Sequence, residues 1–146
     1  MQLSLHSDYA LRVLMALAAG NRQLSVDDIA RRYGISRNHL AKVVQRLQAE
    51  GLIETFRGRG GGMRLARPAE DIGVGDVVRR FENLDSFIDC FPGGGGCAVS
   101  GLCALKPALS GALEAFLTHL DAYRVSDLVP DWAAFIERLE RLERAA

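Results

Sequence analysis

The sequence lacks the features of a membrane or exported protein. No apolar run in its 146 residues approaches the roughly 18 uncharged residues that a membrane helix needs. The apolar stretch at residues 11–19 contains Arg12, and no lysine or arginine precedes it, as one would in a secretory signal. We therefore expect a cytoplasmic protein with no membrane partner.

The local motifs of common enzyme classes are absent as well. The sequence contains no nucleophile–base motif, no phosphate loop after a strand and no dinucleotide fingerprint. Its glycine-rich stretch at residues 58–62 lies at the tip of a predicted hairpin rather than at a strand-to-helix turn, which makes it a poor cradle for phosphate. We predict that the protein is not an enzyme. A reductase or electron carrier built on its cysteines is the alternative.

The whole chain has no excess of charge, because 18 Lys and Arg balance 18 Asp and Glu. Its two halves differ, however. Residues 1–67 contain 11 basic and 5 acidic residues, a balance of +6, whereas residues 68–146 contain 7 and 13, a balance of −6. A basic first half is typical of a protein that meets a polyanion through that half.

Polar caps and apolar periodicity predict three helices in the first half. Ser7 or Asp8 caps the first helix, Ser25 caps the second and Ser36 caps the third. Gly51 ends the third helix. A short glycine-containing turn separates the second helix from the third, which is the spacing of a helix-turn-helix.

A strand, a glycine turn and a second strand follow, within residues 52–66. Helix, turn, helix and hairpin together form the outline of a winged helix-turn-helix. The predicted fold class is therefore mainly α: a winged helix-turn-helix DNA-binding domain with a small β-hairpin wing, plus a long dimerisation helix. We divide the chain into the DNA-binding domain at 1–82, a cysteine segment at 83–103, and the dimerisation helix with a C-terminal helix at 104–146.

The long helix, predicted from about 104 to 123, has apolar residues spaced as in a seam for a partner helix. These residues are Leu105, Leu109, Ala112, Phe116, Leu120 and Tyr123, and Leu113 and Leu117 widen the stripe.

Polar side chains of the predicted third helix and of the wing are candidates for DNA contacts. Arg37 can pair with guanine and Asn38 with adenine in the major groove. Arginines of the wing can enter a narrow minor groove or bind phosphates. An ordinary solvated helix face and surface hairpin are the alternative. The predicted DNA-binding residues are Ser36, Arg37, Asn38, His39, Lys42, Arg57, Arg59 and Arg64, and the outer face of the same helix also carries Gln45 and Arg46.

The only three cysteines, Cys90, Cys97 and Cys103, fall within one short stretch. An odd number of thiols in a reducing compartment argues against a structural disulfide. Thiolates suit zinc or an iron–sulfur cluster, although the spacings match neither CxxC zinc sites nor the compact ferredoxin run. Three inert thiols in a loose loop are the alternative. Candidates for a fourth ligand are His6, Asp8, Asp85, Asp89 and His119.

Several stretches match a known pattern when they are taken together. They are residues 1–3, 7–12, 34–40, 57–65 and 72–78, followed by the three cysteines. These stretches resemble the nitric-oxide-sensing branch of the bacterial Rrf-type winged-helix regulators. The resemblance covers about residues 1–129, and the tail after Pro130 is not distinctive.

The resemblance implies a homodimer with one iron–sulfur cluster per subunit, ligated by Cys90, Cys97 and Cys103. In members with a [4Fe–4S] cluster, an aspartate near the N-terminus of the partner subunit is the fourth ligand, and Asp8 matches that position. A sibling branch instead uses a histidine soon after the last cysteine, and residues 104–107 contain none. The resemblance therefore favours [4Fe–4S], with [2Fe–2S] as the alternative. The alternative role of Asp8 is a helix cap.

The function that the resemblance implies is DNA-binding transcriptional repression with nitric oxide sensing by the cluster. Nitrosylation of the cluster would release the operator. The implied partners are double-stranded operator DNA with a pseudo-palindromic sequence, a second copy of the chain, and nitric oxide as the signal. A sibling regulator of cluster or redox status and a zinc-stabilised DNA-binding module without a switch are the alternatives.

Overall fold

The structure is a computed structural model that describes residues 3–20, 23–58, 60–86 and 102–145. These residues form helices and one two-stranded antiparallel sheet, which confirms the predicted mainly α fold with a hairpin wing. The elements are α1 (Leu5–Ala19), α2 (Val26–Tyr33), α3 (Arg37–Ala49), β1 (Ile53–Phe56), β2 (Gly62–Leu65), α4 (Val74–Phe81), α5 (Leu105–Asp121) and α6 (Trp132–Ala145).

Helix α1 begins earlier than the sequence predicts. Its N-cap is Ser4, whose side chain accepts a hydrogen bond from the Ser7 backbone nitrogen at 3.2 Å. Ser7 lies in the first turn and is fully buried, and Asp8 lies in the same turn. The prediction that Ser7 or Asp8 caps α1 is therefore wrong. Several polar residues near a helix start can serve as a cap, and tertiary burial selected Ser4 by drawing Ser7 into the core.

The helix-turn-helix has the predicted caps at both of its helices. Ser25 caps α2 through a reciprocal pair with Asp28: the Asp28 backbone nitrogen donates to Ser25 Oγ at 3.1 Å, and the Ser25 nitrogen donates to Asp28 Oδ2 at 2.9 Å. Gly34 ends α2 with a positive φ of 63°. Ser36 is the N-cap of α3 by position, without a side-chain hydrogen bond. Gly51 follows α3 with a φ of 67°.

The hydrophobic core lies beneath α1, which contacts α3, α4 and β2. One face of each surrounding helix supplies side chains that are almost completely buried. Burial of this apolar surface is the main favourable term for folding the DNA-binding unit. The largest of these side chains belong to Leu14, Ile29, Leu40, Leu47, Leu52, Ile53, Met63 and Ile72.

The wing is hydrogen-bonded to the chain that leads into α2. Strands β1 and β2 pair from Ile53↔Leu65 to Phe56↔Gly62. On its other side, Met63 exchanges two backbone hydrogen bonds with Leu24, at 2.8 and 3.2 Å. The wing and the helix-turn-helix are therefore one connected unit.

We expect Gly61→Ala to lower the free energy of unfolding by about 1–3 kcal/mol. A Cβ at Gly61 would lie 2.5 Å from the Phe56 carbonyl oxygen and 2.9 Å from that of Gly58, so the turn would have to open. Urea unfolding followed by circular dichroism measures the effect. The control is Gly111→Ala in α5, where a Cβ meets nothing within 4 Å and should stabilise the helix by about 0.5–1 kcal/mol. Equal stability of Gly61→Ala and the wild type would contradict the expectation.

The second half of the chain packs onto the predicted DNA-binding domain through α5, through the segment Val125–Leu128, whose Val125 is fully buried, and through α6. The C-terminal part of α5 lies against α4, and an isolated bridge joins Gly73 to Arg124. Helix α6 returns to α2 and buries Leu139. Among the helices of the described ranges, none combines the length and the apolar character that crossing a bilayer requires.

Candidate nucleic-acid interface and cysteine segment

Helix α3 separates a buried face from a polar face. Leu40, Val43, Val44 and Leu47 are buried beneath it. The five residues that were predicted to read DNA on this helix are all exposed, at its N-terminal end: Ser36, Arg37, Asn38, His39 and Lys42. This arrangement suits a recognition helix, whose N-terminal turn contacts base edges in the major groove.

Arg37 is held beside the second helix by an ion pair. Its Nε lies 2.6 Å from Asp27 Oδ1, and the two side chains are 66% and 54% exposed. A pair that is this open to solvent is worth at most about 1 kcal/mol. The Arg37 guanidinium can therefore exchange Asp27 for a base or a phosphate at small cost.

The wing presents its arginines at the other end of the polar face. Arg57 is exposed after β1. Arg64 on β2 donates to Glu54 Oε2 at 2.9 Å and lies over the Phe56 ring at 4.7 Å, which fixes its direction. Arg59 lies outside the described residues.

We expect Arg57→Ala to weaken the salt dependence of duplex binding. Each phosphate contact contributes about 0.9 to the slope of log K against log salt, so losing one contact in each subunit of a dimer should reduce the slope by about 1.8. A salt titration by fluorescence anisotropy measures it. The matched control is Arg141→Ala on α6, where Arg141 pairs with Glu137 in an i,i+4 contact. The same slope in wild type and Arg57→Ala would show that Arg57 does not touch phosphate.

Arg46 is exposed, as the helical periodicity predicts, and its side chain also contacts α4. Its guanidinium lies 4.7 Å from the centre of the Phe81 ring, and its Nη2 donates to the Arg80 carbonyl oxygen. Arg46 therefore joins α3 to α4. The helical period alone could not indicate this contact, because it depends on the end of α4 lying beside α3.

Asp8 lies on α1 as an exposed, ion-paired carboxylate. Its Oδ2 accepts from Arg12 Nε at 2.9 Å, and the Arg12 guanidinium lies 5.6 Å from the centre of the Tyr33 ring. Burial raises the pKa of Tyr33 to about 12, and Tyr33 Oη has no hydrogen-bond partner among the described residues. Asp8 thus keeps a solvent-accessible carboxylate and does not serve as the helix cap.

Cys103 is exposed and lies two residues before α5. Its Sγ accepts a hydrogen bond from the Leu105 backbone nitrogen at 3.4 Å. Cys90, Cys97 and Asp89 lie outside the described residues. Within the described ranges, no three His, Cys, Asp or Glu side chains converge as a metal site. Among the described residues, no two of His6, Asp8, Asp85 and His119 therefore form a three-ligand site with Cys103.

The three cysteines nevertheless have the chemistry to bind a large group that prefers sulfur ligands. Three cysteines lie within 14 positions of one another along the chain, from 90 to 103. Thiolates are the usual ligands of iron–sulfur clusters. The exposed Cys103 is accessible to such a group, whereas a buried structural thiol would not be.

Glu82, which the sequence did not single out, connects the start of the cysteine segment to α1. Its Oε1 accepts from the Ser4 backbone nitrogen at 2.8 Å and from the Ser7 hydroxyl. Burial opposes ionisation of Glu82, but these hydrogen bonds outweigh it and hold the pKa of Glu82 below its ordinary value. No local motif marks such a residue, because its partners Ser4 and Ser7 are 78 and 75 residues away along the sequence.

Comparison with known proteins gives one consistent family. The family model for Rrf2, described as an iron-dependent transcriptional regulator, matches residues 3–131. The HTH-type transcriptional regulator NsrR of Bacillus subtilis (strain 168) is 44% identical over 98% of this chain and 100% of its own length. The regulator of the same name from Geobacillus kaustophilus (strain HTA426) is 45% identical over 92% of this chain and 93% of its own.

Solved structures agree with the fold. The oxidized form of Staphylococcus aureus CymR superposes with a TM-score of 0.72 at 28% identity, covering 90% of this chain and 98% of CymR. T. potens IscR superposes with a TM-score of 0.69 at 27% identity, covering 88% of this chain and 86% of IscR.

Proposed function

Because the chain belongs to the Rrf2 family of transcriptional regulators, we propose that it is a homodimeric repressor whose iron–sulfur cluster makes operator binding sensitive to nitric oxide. The observation that carries the proposal is the position of Cys103. It is exposed at the junction between the cysteine segment and α5, the helix with the predicted dimer seam. A group bound there contacts the part of the chain that would join two subunits.

The residues that would hold the cluster are Cys90, Cys97 and Cys103, with Asp8 of the partner subunit as the fourth ligand of a [4Fe–4S] cluster. A carboxylate ligand is available at Asp8, because its side chain is exposed on α1 and is not used as the helix cap. When bound, the cluster supplies iron that reacts with nitric oxide. Arg12, which pairs with Asp8 at 2.9 Å, would orient this carboxylate and neutralise charge next to it.

An exposed apolar face on α5 supports the homodimer. Leu117 is the only described α5 residue that is fully buried, while Leu105 is 55% exposed. The other seam residues, among them Phe116 and Leu120, are only partly covered. An apolar helix face of this kind is typical of an interaction surface. The spacing of its residues fits a second α5, so we assign the face to a second copy of the chain.

Asp121 and Arg79 attach α5 to the DNA-binding unit. Arg79 donates to both carboxylate oxygens of Asp121, at 2.5 and 2.7 Å, and these bonds hold the pKa of Asp121 below its ordinary value. An α5 dimer would thus fix the separation of the two copies of α3. In a dimer of this class the recognition helices must enter major grooves about 34–36 Å apart. A signal can act only by stabilising a DNA-competent or an incompetent arrangement more than the other.

The test begins with protein purified without oxygen and a duplex selected by that protein from a random-sequence library. The absorbance spectrum, iron, sulfide and zinc contents are measured first. Nitric oxide is then added stepwise while the spectrum and duplex release are followed in parallel. We expect iron and sulfide in the protein, and duplex release that follows the spectral change.

Three controls separate the alternatives. Oxygen and an iron chelator test whether redox state or cluster supply is the signal, and metal analysis tests for zinc. Colourless, iron-free protein that binds the duplex as tightly as the coloured form would overturn the proposed sensor. Equal affinity before and after nitric oxide would also overturn it.

A further inference from the structure

The end of α4 contacts two other helices at once. We call Arg80, Phe81 and Glu82 the α4 junction. Glu82 is the last residue before the cysteine segment at 83–103. The junction therefore lies where that segment leaves the DNA-binding unit.

On one side, the α4 junction holds the start of α1. Glu82 Oε1 accepts from the Ser4 backbone nitrogen at 2.8 Å and from the Ser7 hydroxyl. Ser7 is fully buried, and Phe81 is 4% exposed within the same core. A partly buried, charge-assisted contact of this kind is stronger and geometrically more specific than a neutral hydrogen bond.

On the other side, the α4 junction holds the C-terminal end of α3. Arg46 lies 4.7 Å from the centre of the Phe81 ring and donates to the Arg80 carbonyl oxygen. Arg80 Nη1 reaches back to α3, where it donates to Glu50 Oε2 at 3.0 Å and to the Glu50 carbonyl oxygen at 3.3 Å. The two helices therefore exchange contacts in both directions.

These contacts connect Glu82, the residue before the cysteine segment, and its neighbours Arg80 and Phe81 to the C-terminal end of α3. Because α3 is a rigid helix of 13 residues, a displacement of its C-terminal end also moves its first turn, which carries Arg37 and Asn38. Chains of packed side chains and hydrogen bonds of this kind can carry coupling between two sites, which the experiment below tests.

We propose that Arg46 and Glu82 are positioning residues that transmit the state of the cysteine segment to the recognition helix. This inference rests on the proposed function, because it needs a cysteine segment with two states. The coupling between the cysteine segment and DNA binding is measured as the ratio of the duplex Kd of iron-free protein to that of iron-loaded protein. Coupling between two sites of a protein is typically about 5–150-fold.

The experiment compares this ratio in wild type, Arg46→Met and Glu82→Gln. Both substitutions remove the charge; Glu82→Gln keeps the length of the side chain, and Arg46→Met keeps an unbranched apolar stem. We expect each to reduce the ratio by a factor of about 2–30, with unchanged iron content and cluster absorbance. The ratio isolates the coupling, because loss of a DNA contact would weaken the iron-free and iron-loaded forms alike. Thermal unfolding of each form checks that the variants are folded.

The matched control is Arg141→Met, which removes the same charge from the exposed Arg141–Glu137 pair on α6 and should keep the wild-type ratio. The wild-type ratio in both Arg46→Met and Glu82→Gln would overturn the inference. Loss of iron from the two variants would overturn it too, since the residues would then act on cluster retention. A wild-type ratio of one would instead overturn the proposed function, and this inference with it.

Discussion

Protein with Cys103→Ser is expected to retain no iron and to bind its operator about 5- to 150-fold more weakly than the wild type after purification without oxygen. The serine hydroxyl is a poor ligand for iron that prefers thiolates, and the fold should survive because Cys103 is exposed. Iron analysis and absorbance measure the first effect, and anisotropy with the selected duplex measures the second. Unfolding by urea should match that of the iron-free wild type, because a bound cluster would itself stabilise the folded state.

The matched control for this prediction is Ala104→Ser. It introduces the same side chain one position later, at the exposed N-cap of α5, and leaves the thiol in place. It should retain iron and duplex affinity. Full iron content in Cys103→Ser would exclude Cys103 as a ligand. Iron loss without any change in duplex affinity would show that the cluster does not affect DNA binding.

Arg37→Ala is expected to have the largest effect on sequence recognition. One bidentate arginine–guanine contact is worth about 1–3 kcal/mol, so loss of both contacts in a dimer should weaken duplex binding by about 2–6 kcal/mol. Binding to duplexes with single base changes in each half-site locates the contact. We expect the preference to be relaxed at one base pair per half-site and retained elsewhere.

The matched control is Asp27→Asn, which removes the partner of Arg37 but keeps the arginine. This variant should bind the duplex at least as tightly as the wild type, because Arg37 no longer has to leave a carboxylate. A uniform loss of affinity over all duplexes in Arg37→Ala would assign Arg37 to a phosphate and not to a base.

Local signals were sufficient for the helix-turn-helix. Ser25, Gly34, Gly51 and the apolar spacing of α3 act within a few residues, so the sequence contains the whole interaction that defines each helix end. The start of α1 could not be predicted in this way. Ser4 and Ser7 both suit an N-cap, and the choice between them depends on Glu82, which is 75 residues away from Ser7.

The candidate site shows the same limit. The periodicity of α3 correctly predicts which residues are exposed, because the helix has one buried face. These residues are Arg37, Asn38, His39 and Lys42. The periodicity also correctly places Arg46 on the exposed surface, but it could not show that the guanidinium lies over the Phe81 ring. Long side chains at the border of a helix face are directed by neighbouring elements, and those elements cannot be read from the periodicity of one helix.

The two hydrogen bonds between Met63 and Leu24 have a consequence for the thermodynamics of repression. Because they attach the hairpin to the residues before α2, we expect the predicted contacts of α3 with the major groove and of the wing with the minor groove to form and break together. Each half-site is then gained or lost as a whole. Intermediate occupancy of a promoter would reflect a mixture of bound and empty duplexes rather than a population of loosely held ones.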